Sequence, residues 1–230
     1  MNSYARRLEF QKDQRYHELK EIKDQWRTGD ALFHGIELLL PEERGIKPKF
    51  VLDLFSDGQN AKCFDYFTAE NNALLQDWQE TLYWLSGDNP DYAFANPPYS
   101  IEQTDEGEVI TGMTPIITKA LDERENGGRF AFLIKAATSE TWWPDDKPDR
   151  TIFIKGRVSF ERPVWFNPDP AKKVPRQSAF FGCAVLIFNK HLPRNKEPLY
   201  IHRKELLSMG RKRAEELSEA RKKHIQAFSL

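Results

Sequence analysis

Cysteine is almost missing from this chain: Cys63 and Cys183 are the only two in 230 residues. Both sit inside runs that read as strands, so buried thiols in a reducing compartment are expected, not a disulfide framework or a zinc site. Apolar runs are short as well. No stretch reaches the ~18 consecutive apolar residues that a bilayer span needs, and the opening MNSYARRLEFQKDQ has no signal-peptide apolar block. These absences predict a cytoplasmic protein that needs neither a membrane nor a metal. Glycine is sparse too, 12 residues in all. There is no Gly/Ser-rich linker, internal repeat or low-complexity tract, and the length suits one core, so residues 1–230 are expected to form a single domain.

Charge is present in both signs, but unevenly. The formal net charge is −1, yet residues 1–150 carry 17 basic and 28 acidic side chains, and residues 151–230 carry 17 basic and 7 acidic. Such asymmetry points the second half toward a polyanion. Its basic residues include Lys155, Arg157, Arg162, Lys172, Lys173 and Arg176, then Arg211, Lys212, Arg213, Arg221, Lys222 and Lys223. For the last six a solvated helix face is an equal alternative, because Glu215, Glu216 and Glu219 interleave with them.

Hydrophobic spacing predicts an N-terminal helix over residues 3–27, through Tyr4, Leu8, Tyr16, Leu19, Ile22 and Trp26. Short strand-like runs follow at Phe50–Leu54, Phe64–Phe67, Tyr92–Ala95, Arg129–Lys135, Thr151–Ile154 and Ala184–Phe188. Met113, Ile116, Ile117, Ala120 and Leu121 lie at helical spacing between two of them, and Gly127-Gly128 supplies a stop. Strands separated by helices predict an α/β layer structure with a mostly parallel sheet, which binds ligands at the carboxyl ends of its strands. Residues 151–189 read as a hairpin or edge extension turning at Lys155-Gly156. Residues 203–228 read as a basic helix, or as two helices broken near Met209-Gly210.

The search for chemistry therefore begins after each strand. Behind Tyr92–Ala95 stands Asn96-Pro97-Pro98-Tyr99. Two prolines fix φ and restrict the residue before them, so the Asn96 oxygen and the Pro97 carbonyl form a stiff, donor-poor corner beside a ring. A rigid turn with a stacked tyrosine would account for the same residues. The functional reading is a planar amine as ligand, because two acceptors on its hydrogens localise a lone pair otherwise delocalised into the ring. Stabilising charge where it develops is the general electrostatic device. If that amine belongs to a nucleobase, Tyr99 would stack on the base, and such stacking contributes about 1–3 kcal/mol, offsetting part of the cost of extruding it from a duplex.

These residues resemble the phage-type DNA N-6-adenine-methyltransferase (Dam-like) family over roughly residues 26–189. Besides ANPPYS the resemblance includes WRTGDALF, VLDLFSDGQNAKC, YFTAENNALLQDW, FLIKAATSETWWP, FIKGRVSF and PRQSAFFGCAVLIFN, in the family's order. It implies a Rossmann-like methyltransferase fold, S-adenosylmethionine as cofactor, and adenine in double-stranded DNA as acceptor, commonly in GATC. It also implies a catalytic set of Asn96, Pro97, Pro98 and Tyr99. Asp53 with Ser56-Asp57-Gly58 matches the first cofactor motif, although Gln59-Asn60 stand where a second glycine is usual. Glu70, 17 residues after Asp53, is placed like the acid that accepts ribose hydroxyls, and Asp65 competes for that role. For Glu70 an exposed carboxylate is the alternative; Asp77 matches the contact to the cofactor's adenine, 19 residues before Asn96.

Trp26-Arg27-Thr28 resembles the segment over the methionine end of the cofactor, with Gly29 where many relatives have proline. Thr28 would either bond the cofactor carboxylate or cap a helix beginning about Asp30. Lys155, Arg157 and Phe160 match the segment bordering the flipped base: the two cations as phosphate contacts, Phe160 either as the second face of a sandwich with Tyr99 or as core packing. Lys172, Lys173 and Arg176 lie in a polar, basic loop over 163–178, where Arg176 or Gln177 would meet base edges, backbone or solvent. Two other functions fit the residues less well: methylation of a protein glutamine amide, and a DNA-binding relative without turnover.

Overall fold

The computed structural model describes residues 1–173, 181–193 and 197–227. In chain order the helices are α1 (Ser3–Lys12), α2 (Leu19–Ile22), α3 (Asp30–Glu37), α4 (Trp78–Ser86), α5 (Met113–Glu125) and α6 (Arg203–Ala227). The strands are β1 (Phe50–Asp53), β2 (Asp65–Tyr66), β3 (Tyr92–Ala95), β4 (Glu102–Gln103), β5 (Val109–Thr111), β6 (Phe130–Lys135), β7 (Arg150–Lys155), β8 (Cys183–Phe188) and β9 (Leu199–His202). Seven strands form one sheet in the order β2-β1-β3-β6-β8-β7-β9, with β4 and β5 as a separate pair. All neighbours are parallel except around β8, which runs antiparallel to both β6 and β7. This is a Rossmann-like methyltransferase architecture.

Both faces of the sheet are buried, so the central strands are apolar throughout and period two only sorts side chains between the faces. Along β6, Ala131 and Leu133 pack on one side with Phe33 and Ile36 of α3 and Leu206 of α6. Phe130, Phe132 and Ile134 pack on the other with Trp78 of α4 and Ile116 of α5. Phe50 and Leu52, two residues apart, lie on opposite faces because the β1–β3 register shifts between them. One added residue reverses the faces that follow it, while Asp53 stays paired with Tyr66 and Phe94.

Of the two readings of the C-terminal segment, the single helix is the one that forms: α6 runs unbroken through Gly210. It passes so close to α3 that a Cβ on Gly210 would run into the Ala31 carbonyl, and one on Gly35 would come 2.5 Å from the Leu206 carbonyl. These two glycines let backbones approach; they do not end a helix.

The predicted N-terminal helix over 3–27 is also shorter than expected. α1 ends at Lys12, and the chain then pairs elsewhere: the His17 N–H donates to the Asn167 carbonyl at 2.8 Å and Arg27 bridges Glu161. Long-range backbone partners override local spacing here. Of the hairpin and the edge extension read for residues 151–189, the chain does not fold back directly at Lys155-Gly156. Gly156, at φ 96°, turns the chain out of the sheet, and the antiparallel partner of β7 is β8, across a long connection.

Candidate active site

Parallel strands bring their carboxyl ends to one edge, and there β1 ends in Asp53 and β3 runs into Asn96. A cavity of about 210 Å³ opens between them. Trp26, Thr28, Asp53, Ser56, Asp57, Glu70, Asn96 and Pro98 are among its walls, and α1 roofs it through Tyr4, Ala5 and Leu8.

Asp53 is buried at the cavity floor, accepting from the backbone N–H of Lys62 at 2.9 Å and of Phe55 at 3.3 Å. Loss of water outweighs those two bonds and pushes its carboxyl up to about 7. The loop after it needs only one left-handed residue, Gly58 at φ 78°. Gln59 and Asn60 do the work of the missing glycine differently: both N–H groups donate to Asp57 Oδ1 at 3.0 Å, an Asx turn that closes the loop with side-chain chemistry.

Thr28 does not cap α3. The N-cap is Gly29, whose φ of −71° is one that proline would also adopt, although a Cβ there would displace the Glu161 carboxylate, 2.6 Å away. The Thr28 side chain is buried along the cavity wall, and its hydroxyl has no hydrogen-bond partner. An unpartnered buried hydroxyl costs stability unless something arrives to bond it.

The Asn96 amide nitrogen donates to the Trp26 carbonyl at 3.4 Å, which turns Oδ1 away from that bond as an available acceptor. A second tie between the same segments runs from the Ser100 N–H to Asp24 Oδ2 at 2.9 Å. The diproline corner is thus clamped to the segment before α3. Tyr99 is held from the neighbouring strand: its hydroxyl accepts from the Lys135 N–H at 2.6 Å, and burial raises the phenol above its ordinary range.

Of the two candidate ribose acids, Glu70 lines the cavity, where it pairs with the terminal ammonium of Met1 at 3.3 Å, and Asp65 on β2 is not among its walls. Asp77 has a structural role as well. Its carboxylate caps α4, accepting from the Glu80 N–H at 2.8 Å, and it stands outside the cavity. Of its two readings Phe160 takes core packing: it is buried and packs on Phe181 at 5.8 Å between ring centres.

Lys155 and Arg157 are exposed at the same sheet edge, with the Lys155 ammonium 5.0 Å from the Tyr200 ring centre. Lys172 and Lys173 are exposed, Lys172 pairing with Glu18 at 3.3 Å. Arg176 and Gln177 lie outside the described residues. Sequence reasoning overlooked the roof from α1, the Asp24 clamp, and the Lys135 and Phe181 side chains near Tyr99. Only the last two lay inside recognisable segments, FLIKAATSETWWP and PRQSAFFG.

Among the described residues no group of three or more His, Cys, Asp or Glu could hold a metal, and no helix is long and apolar enough to cross a membrane. The sheet order, the acid closing β1 and the diproline corner closing β3 define a methyltransferase of the Rossmann-like class. The chain belongs to the DNA N-6-adenine-methyltransferase (Dam) family, whose pattern it matches over residues 15–213. It is also 50% identical over 98 residues to YfdM of Escherichia coli (strain K12), named as a putative methyltransferase; the match covers 43% of this chain and 96% of that protein. No solved structure matches.

Proposed function

We propose that this protein transfers a methyl group from S-adenosylmethionine to the 6-amino group of an adenine flipped out of double-stranded DNA. The observation that carries the reading is that Asn96 and Pro98 share one cavity with Asp53 and Ser56, and that Thr28, whose buried hydroxyl has no partner, belongs to the same wall. A cofactor pocket and a planar-amine corner therefore meet at one edge.

The residues present fit the cofactor. Trp26 and Thr28 would flank its methionine end, the Thr28 hydroxyl donating to a carboxylate; Asp53, with the Ser56–Gly58 loop, would face its ammonium; Glu70 would take the ribose hydroxyls. When bound, S-adenosylmethionine supplies an already activated methyl. The chain then has to orient the acceptor and stabilise the charge that grows on its nitrogen. Asn96 Oδ1 and the Pro97 carbonyl accept from the amine, and Pro98 keeps that pair stiff. The amine proton becomes acidic only as the new bond forms, so no strong base is required of Asn96. Lys155, Arg157, Lys172 and Lys173 supply phosphate contacts, which position a duplex without reading it. GATC is the recognition sequence expected from the family.

The test is transfer of tritium from methyl-labelled cofactor. Label in duplex DNA, recovered as N6-methyladenine, supports the reading. Label only in a protein acceptor means glutamine-amide chemistry, and DNA binding without any transfer means an inactive relative.

A further inference from the structure

The ring face of Tyr99 is already occupied by Lys135. Its backbone N–H bonds the Tyr99 hydroxyl, and its ammonium turns back over the ring, 4.0 Å from the centre. The same ammonium is 4.9 Å from the centre of the Phe181 ring, which is backed in turn by the buried Phe160. A cation flanked by two aromatic rings is held by both quadrupoles. Such a site also has the chemistry of a slot for a flat π-system, since each ring offers a face that stacks on a purine. A base entering there cannot coexist with the ammonium.

Taking adenine in duplex DNA as the acceptor, on which this step rests, we propose that Lys135 is a placeholder in the base slot: its ammonium fills the Tyr99–Phe181 gap in the free protein, is expelled by the extruded base, and then contacts a backbone phosphate. The exchange suits lysine in particular. A flexible four-carbon stem lets a point charge swing while the backbone N–H keeps hold of Tyr99. Expulsion forfeits two cation–π contacts, so the phosphate contact offsets that loss only when a base has entered. Lys135 is thereby a positioning residue that couples occupancy of the slot to grip on the strand.

Two measurements decide it. In protein carrying ¹³C at lysine Cε, with the signal assigned by Lys135→Arg, the Lys135 resonance is expected upfield of the other lysines from the ring currents of Tyr99 and Phe181. It should move to their position when a duplex that the protein methylates is added. A resonance that stays upfield with DNA bound overturns the proposal, as does one that is not shifted in the free protein. In Lys135→Met, the slope of log affinity against log salt should fall in magnitude by about 0.9, the loss of one phosphate contact. Across a fourfold rise in salt the variant then loses about 3.5-fold less affinity than the wild type. An unchanged slope in a variant with wild-type thermal unfolding overturns the phosphate contact. If wild-type protein methylates no DNA, the underlying reading fails first, and that failure is separately visible because the free-protein shift needs no DNA.

Discussion

The two ends of the central sheet treat buried polarity in opposite ways. At the amino ends of the parallel strands, Arg124 of α5 forks onto Asp149 with both bonds at 2.6 Å, and Asp149 also accepts from the Asn189 N–H at 2.7 Å. The Asn189 side chain continues to the Tyr92 hydroxyl and to Glu43, which pairs with Arg129. At the carboxyl ends, Thr28 has no partner, Asp53 is dehydrated with only two N–H donors, and Asn96 leaves its oxygen available. A satisfied network locks strands together. Unsatisfied groups in a cavity are a cost that the fold carries in readiness for a ligand.

The largest test of that contrast is to break the satisfied end. Arg124→Ala strands Asp149, which is fully buried, and losing one partner of a buried pair costs about 3–5 kcal/mol. For a chain of this size that lowers the unfolding temperature by about 10 °C. Thermal unfolding followed by circular dichroism should show it, and a change below about 2 °C would mean the network is not structural.

Next in size, Asn96→Ala should slow methyl transfer by about 10²–10³-fold, the scale of one well-placed acceptor or donor at a reacting centre. Cofactor affinity measured by calorimetry, and the unfolding temperature, should hold. The contrast predicts this separation: the carboxyl-end residue carries activity and the amino-end residue carries stability. Equal loss of both in either variant would erase the distinction.

How much of this was readable beforehand follows the same division. The diproline corner, the acid closing β1 and the core strands announce themselves because their chemistry is local. Two prolines, an alternating run or a motif loop need no distant partner to be seen. Where a residue has two uses open to it, the structure shows which is taken, through a local partner for Asp77 and through distant ones for the others. Asp77 has the spacing of a cofactor contact, but the first turn of α4 claims its carboxylate through the Glu80 N–H. Phe160 has the spacing of a base-stacking ring, but Phe181 covers it. Gly210 looks like a helix break until α3 crosses it. The Lys135–Tyr99 contact joins the ends of two strands, and no pattern in either segment indicates it.

A third test uses pH. Asp53 has an ordinary carboxyl value of 3.8 when the chain is unfolded and about 7 when folded. Between those values the folded state therefore binds the extra proton, and the contribution of this group to stability is lost as pH rises from about 4 to 7. Asp53→Asn removes the titration, so the slope of stability against pH over that window should become more positive than in the wild type. Denaturant unfolding at intervals from pH 4 to 8 measures it; superimposable slopes would mean that Asp53 does not carry its proton into the fold.

The smallest effect is the most discriminating, because it should change sign between two readouts. Thr28→Val keeps the shape of the side chain and removes a hydroxyl that has no partner. The fold should therefore hold its unfolding temperature or gain slightly, since the cost of burying that group, about 1–3 kcal/mol, disappears. Cofactor binding should weaken by about tenfold, since a hydrogen bond to a charged carboxylate contributes about 1.5–3 kcal/mol. A substitution within the Arg124–Asp149–Asn189 network could not do this: there each polar side chain removed leaves a partner unpaired, and stability falls with it. If Thr28→Val lost stability and kept its affinity for S-adenosylmethionine, its hydroxyl would belong to the scaffold, and the carboxyl end would be no more a binding surface than the other.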